Sequence, residues 1–197
     1  MAQLYFHYAS MNAGKTSSLL QSAYNYTERG MRVLIMKPKI DDRDSTSEVV
    51  SRIGLRAPAI LFSQNDDLYN LVESISFDNP DDKYHPDAIF IDEAQFMTRN
   101  QIIQLSDLVD IEDIPVLCYG LRTDFRGELF EGSAALMALA DKLVEMKGVC
   151  HCGKKATMVL RIDADGNVIT EGDQIEIGGE EKYVSVCRSH HFLGEIK

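Results

Sequence analysis

Ala9-Ser10-Met11-Asn12-Ala13-Gly14-Lys15-Thr16 is the stretch that decides how this chain folds. An apolar and aromatic run, Leu4 to Tyr8, precedes it and has the length of a buried strand. Lys15 to Arg29 follows and reads as a helix, with Gly30 placed to end it. A glycine-bearing loop between strand and helix is the setting of a P-loop. Successive backbone N–H groups wrap a phosphate, and the helix N-terminus adds its positive end. Lys15 then reaches the outer phosphates, and Thr16 offers its hydroxyl to Mg²⁺. The pattern usually begins with Gly. Here it begins with Ala9, which fits only if its φ is negative.

Outward from the loop, strand and helix signals alternate. Val33 to Met36, Ala88 to Ile91 and Pro115 to Tyr119 read as buried strands. Leu68, Leu71, Val72 and Ile75 repeat at helical spacing, and Thr98 with Gln101 forms a capping box before the helix of Ile102, Leu105 and Val109. Leu129 to Lys147 reads as a second long helix, and Asp41 to Arg52 as a charged loop. The expected fold is α/β, a parallel sheet flanked by helices. After Lys147 the texture becomes short β-type runs, Met158 to Ile162, Val168 to Thr170 and Tyr183 to Val186, parted by Asp165-Gly166 and Gly178-Gly179. The expected division is residues 1–148 as a P-loop domain and 149–197 as a small β domain.

The 197 residues carry 20 Lys and Arg against 31 Asp and Glu, a net charge of −11. That balance argues against a protein living on nucleic-acid backbone, which needs surplus cations. It leaves room for a local phosphate site. The longest wholly apolar stretch, Ala134 to Ala140, is far too short to span a bilayer, and Met1 to Phe6 lacks a basic n-region. The expectation is a cytoplasmic protein without membrane or nucleic-acid partners.

Ile89-Phe90-Ile91-Asp92-Glu93 puts two carboxylates at the end of an apolar strand, the edge where parallel sheets bind ligands. Asp92 is the expected Mg²⁺ residue. Glu93 is free to accept a proton from an attacking hydroxyl or to orient a water. Phe96, Phe125, Phe130, Tyr183 and Met11 could supply a flat apolar pocket for a planar base.

Cys150-His151-Cys152 and Cys187-Arg188-Ser189-His190-His191 form two short clusters beside β-type segments, as in a zinc ribbon. Three Cys and one His would close a tetrahedral site. His151, His190 and His191 compete as the fourth ligand, with His190 favoured by the two residues separating it from Cys187. Cys118 lies within a strand and reads as core. A metal pinning both clusters would make the chain between them a lasso, with Ile175, Ile177, Gly178, Gly179 and Tyr183 as its tip and return.

Taken jointly, these segments resemble the thymidine kinases of the smaller, zinc-containing class, of bacterial type. The resemblance rests on Leu4 to Thr16, Asp92-Glu93-Ala94-Gln95-Phe96, Cys118 to Gly127, Ile177-Gly178-Gly179 and Tyr183-Val184-Ser185-Val186-Cys187. It implies transfer of the γ-phosphate of ATP to the 5′-hydroxyl of thymidine, often also deoxyuridine, with Mg²⁺. Glu93 would be the general base. Ala9, Ser10, Met11, Asn12, Ala13, Gly14, Lys15 and Thr16, with Asp92, Glu93, Ala94 and Gln95, would hold the nucleotide. Met11, Phe96, Leu121, Phe125, Phe130 and Tyr183 would line the nucleoside pocket, under a lasso of Gln174, Ile175, Glu176, Ile177 and Gly178. Cys150, Cys152, Cys187 and His190 would hold structural zinc. A homotetramer inhibited by thymidine triphosphate is also implied, and Arg43 would face phosphates. A P-loop ATPase acting on nucleic acid, suggested by Asp92-Glu93-Ala94-Gln95, and a deoxynucleoside kinase of other base specificity share part of the pattern.

Overall fold

The computed structural model describes residues 1–39, 47–75, 85–174 and 183–197. Its centre is a six-stranded parallel sheet. The strands are β1 (Leu4–Ala9), β2 (Val33–Pro38), β5 (Ile60–Phe62), β6 (Ala88–Ile91), β7 (Val116–Leu121) and β8 (Lys142–Glu145), in the order β5-β2-β6-β7-β1-β8. All four residues of β6 are buried because both faces of the sheet are covered. Ile89 and Ile91 point to the side of α2 (Leu68–Ser74), α3 (Arg99–Asp110) and α4 (Glu131–Leu139). Ala88 and Phe90 point to the side of α1 (Lys15–Glu28), where Leu19, Leu20 and Ala23 meet them. Cys118 is fully buried on the first side, as core.

The capping box forms as read. Thr98 Oγ1 accepts from Gln101 N, and Gln101 Oε1 accepts from Thr98 N, both at 3.2 Å. Gly30 sits just past α1 with φ 79°.

Two expectations are corrected. Leu129 to Lys147 is not one helix: α4 stops at Leu139, and Lys142–Glu145 becomes β8, paired in parallel with Tyr5–Tyr8 of β1. Leu139, Leu143 and Val144 have helical spacing but stay substantially exposed, so no buried face rewards a longer helix. The open edge of β1 instead offers backbone partners, and Asp141 Oδ2 accepts from Leu4 N at 2.7 Å at the junction. The loop assigned to Asp41–Arg52 contains β3 (Glu48–Val50), paired antiparallel with β4 (Arg56–Pro58). Val49 is the anchor, buried against the α1 side of the sheet. Arg43 lies outside the described residues.

Beyond β8 the chain forms small antiparallel sheets: β9 (Gly148–Val149) with β10 (Lys155–Ala156), and β12 (Val168–Ile169), β11 (Met158–Ile162) and β13 (Tyr183–Val186) in the order β12-β11-β13. Helix α5 (Arg188–Leu193) follows. Their core is small, and it includes Cys150 and Cys187. Among the described residues, no helix is long and apolar enough to cross a membrane.

Candidate active site and metal centre

Three strand ends meet at the carboxyl edge of the sheet. Ala9 ends β1 beside Leu121 of β7, and Asp92 follows β6. Ala9 is not among the positive-φ residues, so alanine is accommodated where the usual pattern has glycine. The left-handed residues of the loop are Asn12 and Gly14. Lys15 is buried, and its ammonium donates to Ser10 O at 3.0 Å.

Thr16 Oγ1 donates to Asp92 Oδ2 at 3.0 Å, joining loop to strand end across the core of the site. Asp92 is 5 % exposed, and among the described residues its Oδ1 has no hydrogen-bond partner. Burial, reinforced by the neighbouring Glu93 charge, pushes the Asp92 carboxyl up to about 7; the Thr16 hydrogen bond and Lys15 act in the opposite sense. A buried carboxylate with an orphaned oxygen beside a threonine hydroxyl suits a hard divalent cation such as Mg²⁺.

Glu93 takes a left-handed backbone, φ 52° and ψ 37°, which costs a non-glycine residue about 1–3 kcal/mol. Its surroundings hold it there. Gln95 Nε2 donates to Glu93 Oε2 at 2.5 Å, while Gln95 Oε1 accepts from Leu121 N at 2.9 Å. Ser133 Oγ donates to Leu121 O at 2.6 Å. Glycine is required twice for this packing. A Cβ on Gly120 would lie 2.8 Å from Gln95 Oε1, and one on Gly132 would lie 2.5 Å from Ala94 O. The side chain of Gln95 is thus 2 % exposed and spent on Glu93 and Leu121. Gly120, Gly132 and Ser133 had no role in the sequence reading; only the close approach of α4 and β7 to the turn reveals them.

The aromatic candidates fall in two groups. Phe96 and Phe130 pack edge to face, centroids 5.7 Å apart. Phe125 is buried in the turn after β7, with the Arg161 guanidinium 5.3 Å from its ring centroid. The neighbouring Asp124 is 3 % exposed. It accepts from Arg126 and from the backbone of Arg126 and Glu128, and its Oδ2 accepts from Gln174 Nε2 at 3.1 Å. Asp124 therefore anchors Gln174, the first of the residues expected to form the lasso. Ile175, Glu176, Ile177 and Gly178 lie outside the described residues. Met11 and Tyr183 are half-buried, and Ser185, two residues beyond Tyr183, donates its hydroxyl to Met11 O at 2.7 Å.

The ligand atoms of Cys150, Cys152, Cys187 and His190 all lie within 4.8 Å of one another. Cys150 Sγ is 3.3 Å from His190 Nδ1, and Cys152 Sγ is 3.9 Å from Cys187 Sγ. Ligands bound to zinc at about 2.1–2.3 Å stand about 3.5–3.8 Å apart in a tetrahedron, so these four could hold that ion. His190 Nε2 faces Glu195 Oε2 at 3.4 Å, the kind of carboxylate contact that orients a histidine ligand. His191 is engaged elsewhere: its Nε2 donates to Phe125 O at 2.7 Å. His151 stacks on His190.

A strand–P-loop–helix unit joined to an acidic strand end defines a P-loop phosphotransfer protein. The particular family follows from comparison. The pattern of the family described as "TK: Thymidine kinase" matches residues 2–191, and the chain belongs to that family. It is 58 % identical over 191 residues to the thymidine kinase of Salmonella paratyphi A, covering 97 % of this chain and 91 % of that one. It is 55 % identical to the thymidine kinase of Photobacterium profundum over 191 residues, 97 % of each chain. The thymidine kinase of Shewanella oneidensis is 55 % identical over 190 residues, 96 % of each chain.

Proposed function

We propose that this chain transfers the γ-phosphate of ATP to the 5′-hydroxyl of thymidine, and of deoxyuridine, with Mg²⁺. The observation that carries the reading is the Thr16–Asp92 contact with Glu93 fixed beside it, in a chain that matches the thymidine kinase family over nearly its whole length. Residues 9–16 hold the phosphates, with Lys15 leaving Ser10 O to meet the outer ones. Thr16 and Asp92 hold Mg²⁺, which neutralises charge on the transferred phosphoryl group. Glu93 accepts or orients the proton of the 5′-hydroxyl, and Gln95 keeps its carboxylate aimed. Phe96, Leu121, Phe125, Phe130, Met11 and Tyr183 enclose the base, covered by residues 174–178. Closure excludes water and so disfavours hydrolysis.

Residues 149–197 act as a separate zinc-pinned unit carrying the lasso, with Cys150, Cys152, Cys187 and His190 as ligands. The working form is a cytoplasmic homotetramer inhibited by thymidine triphosphate. The test is a phosphate-transfer assay with ATP, Mg²⁺ and each deoxynucleoside in turn. Transfer to thymidine and deoxyuridine over cytosine and purine nucleosides supports the reading. ATP hydrolysis stimulated by nucleic acid, without nucleoside phosphorylation, would replace it with the motor-type alternative, which the net charge of −11 disfavours.

A further inference from the structure

We propose that Ser185 is a positioning residue for ATP: with Ser10, it tethers the phosphate loop to the small β-sheets that the thiol cluster organises. This rests on reading Ala9–Thr16 as the ATP phosphate site. Ser185 lies on β13, and its hydroxyl donates to Met11 O at 2.7 Å across 174 residues of chain. Ser10 returns a bond in the other direction, donating to Ala156 O on β10 at 3.1 Å. Gly148 on β9 closes the joint. A Cβ there would come 3.0 Å from Ser10 Oγ and 3.4 Å from the Ala156 Cβ.

The tether reaches the catalytic cation. Ser10 is held at its hydroxyl by β10, and its carbonyl accepts from Lys15 Nζ at 3.0 Å. β10 thereby helps set where the Lys15 ammonium rests. The same strands carry the metal candidates: the β9–β10 hairpin holds Cys150 and Cys152, and β13 runs directly into Cys187. Between the tethered residues and Lys15, Asn12 and Gly14 sit in left-handed conformations at exposed positions. Asn12, at φ 62°, is of a residue type that tolerates this conformation. The two hydroxyls grip the loop at its base and limit the conformations open to its tip.

Removing one tether lowers the population of the loop shape whose N–H groups converge on phosphate, and apparent affinity falls by that fraction. For one hydrogen bond to a partly buried carbonyl, the expected loss is about fivefold. The experiment titrates wild type, S185A and S185T with a non-hydrolysable ATP analogue and Mg²⁺, alongside bound zinc per chain and the thermal midpoint. S185A is expected to bind the analogue about fivefold more weakly, with zinc content and midpoint held. Its KM for ATP should rise while kcat at saturating ATP stays within about twofold, and S185T should restore binding through its hydroxyl. Analogue binding by S185A within about twofold of wild type overturns the proposal. So does a loss that S185T shares and that tracks zinc content and midpoint, because that pattern belongs to a structural serine. Wild type that binds the analogue yet fails to phosphorylate any nucleoside would sink the kinase reading and leave the tether to be judged on binding alone.

Discussion

The large sheet and the small β-sheets solve the same problem with different means. The large sheet buries both its faces. Ile89, Ile91, Leu4 and Met36 pack under α2, α3 and α4, and Phe90, Ile35 and Leu117 under α1. That core is apolar and contiguous, so the sheet can hold a strained glutamate and a buried carboxylate at its edge. Among the described residues, the small sheets bury six in their cluster, two of them cysteines. A core of this size offsets little of the entropy of ordering the residues around it. What differs is the source of stability: apolar burial in one region and, on the proposed function, ligation by Cys150, Cys152, Cys187 and His190 in the other. On the proposed function, chemistry sits on the region that can support strain, and control over access sits on the region that a metal would close.

Removing the metal is the strongest way to break this contrast. Dialysis against a chelator, or Cys187→Ser, should disorder residues from 148 onward while leaving the large sheet protected. Structural zinc contributes about 10 kcal/mol or more to units of this type, so the loss should be near complete. Hydrogen exchange resolved by region checks it, and equal protection of both regions without metal would erase the distinction drawn here.

Gly132→Ala should come next. The new Cβ would press on Ala94 O and Met97 O, so α4 must shift off the turn that carries Glu93. A destabilisation of about 1–3 kcal/mol is expected, together with a larger fall in kcat than in ATP affinity. Thermal unfolding and steady-state kinetics on one preparation test both halves. Gln95→Leu keeps the volume and frees the Glu93 carboxylate; about a tenfold loss in kcat is expected, with the KM for ATP little changed. A changed KM with an intact kcat would instead assign Gln95 to the nucleotide.

The smallest effect concerns stability and pH. Asp92 has its carboxyl raised to about 7 in the fold, so its ionisation opposes folding. That cost is absent below the unfolded value near 4, grows from there up to the folded value near 7, and is constant above it. Asp92→Asn should therefore stabilise the metal-free, nucleotide-free protein by about 1–3 kcal/mol at pH 8, with about a third of that gain at pH 5. Unfolding midpoints of the two proteins at both pH values decide it.

Much of this was legible in the chain itself, and the rest was hidden for identifiable reasons. The buried strands announce themselves because both faces are covered, so Ala88 to Ile91 reads as one apolar run. The Thr98–Gln101 box is local and forms as written. Lys142 to Glu145 reads as helix because its leucine and valine spacing suits one, while the partner of β8, β1, lies more than 130 residues earlier. Thr16 was legible from the phosphate-loop pattern, and Asp92 and Glu93 from the end of an apolar strand. The contacts of Gln95 with Glu93 and Leu121, and those of Ser133, Asp124 and Ser185, were not legible, because each runs through a carbonyl, an amide or a carboxylate brought close only by the fold. Of the three histidines near Cys187 and Cys150, spacing favours His190; the bond of His191 to Phe125 O sets that residue apart, and it is the His190 ring that lies within 4.8 Å of all three thiols.

The central claim is that the strained glutamate beside the Thr16–Asp92 pair handles the proton of a nucleoside hydroxyl. Glu93→Gln keeps the size, the partner Gln95 and the backbone, and removes only the basic oxygen. Its kcat for phosphate transfer from ATP to thymidine, at saturating substrates, should fall by about 10²–10⁴-fold, with binding of the ATP analogue intact. A kcat within about threefold of wild type would contradict the account.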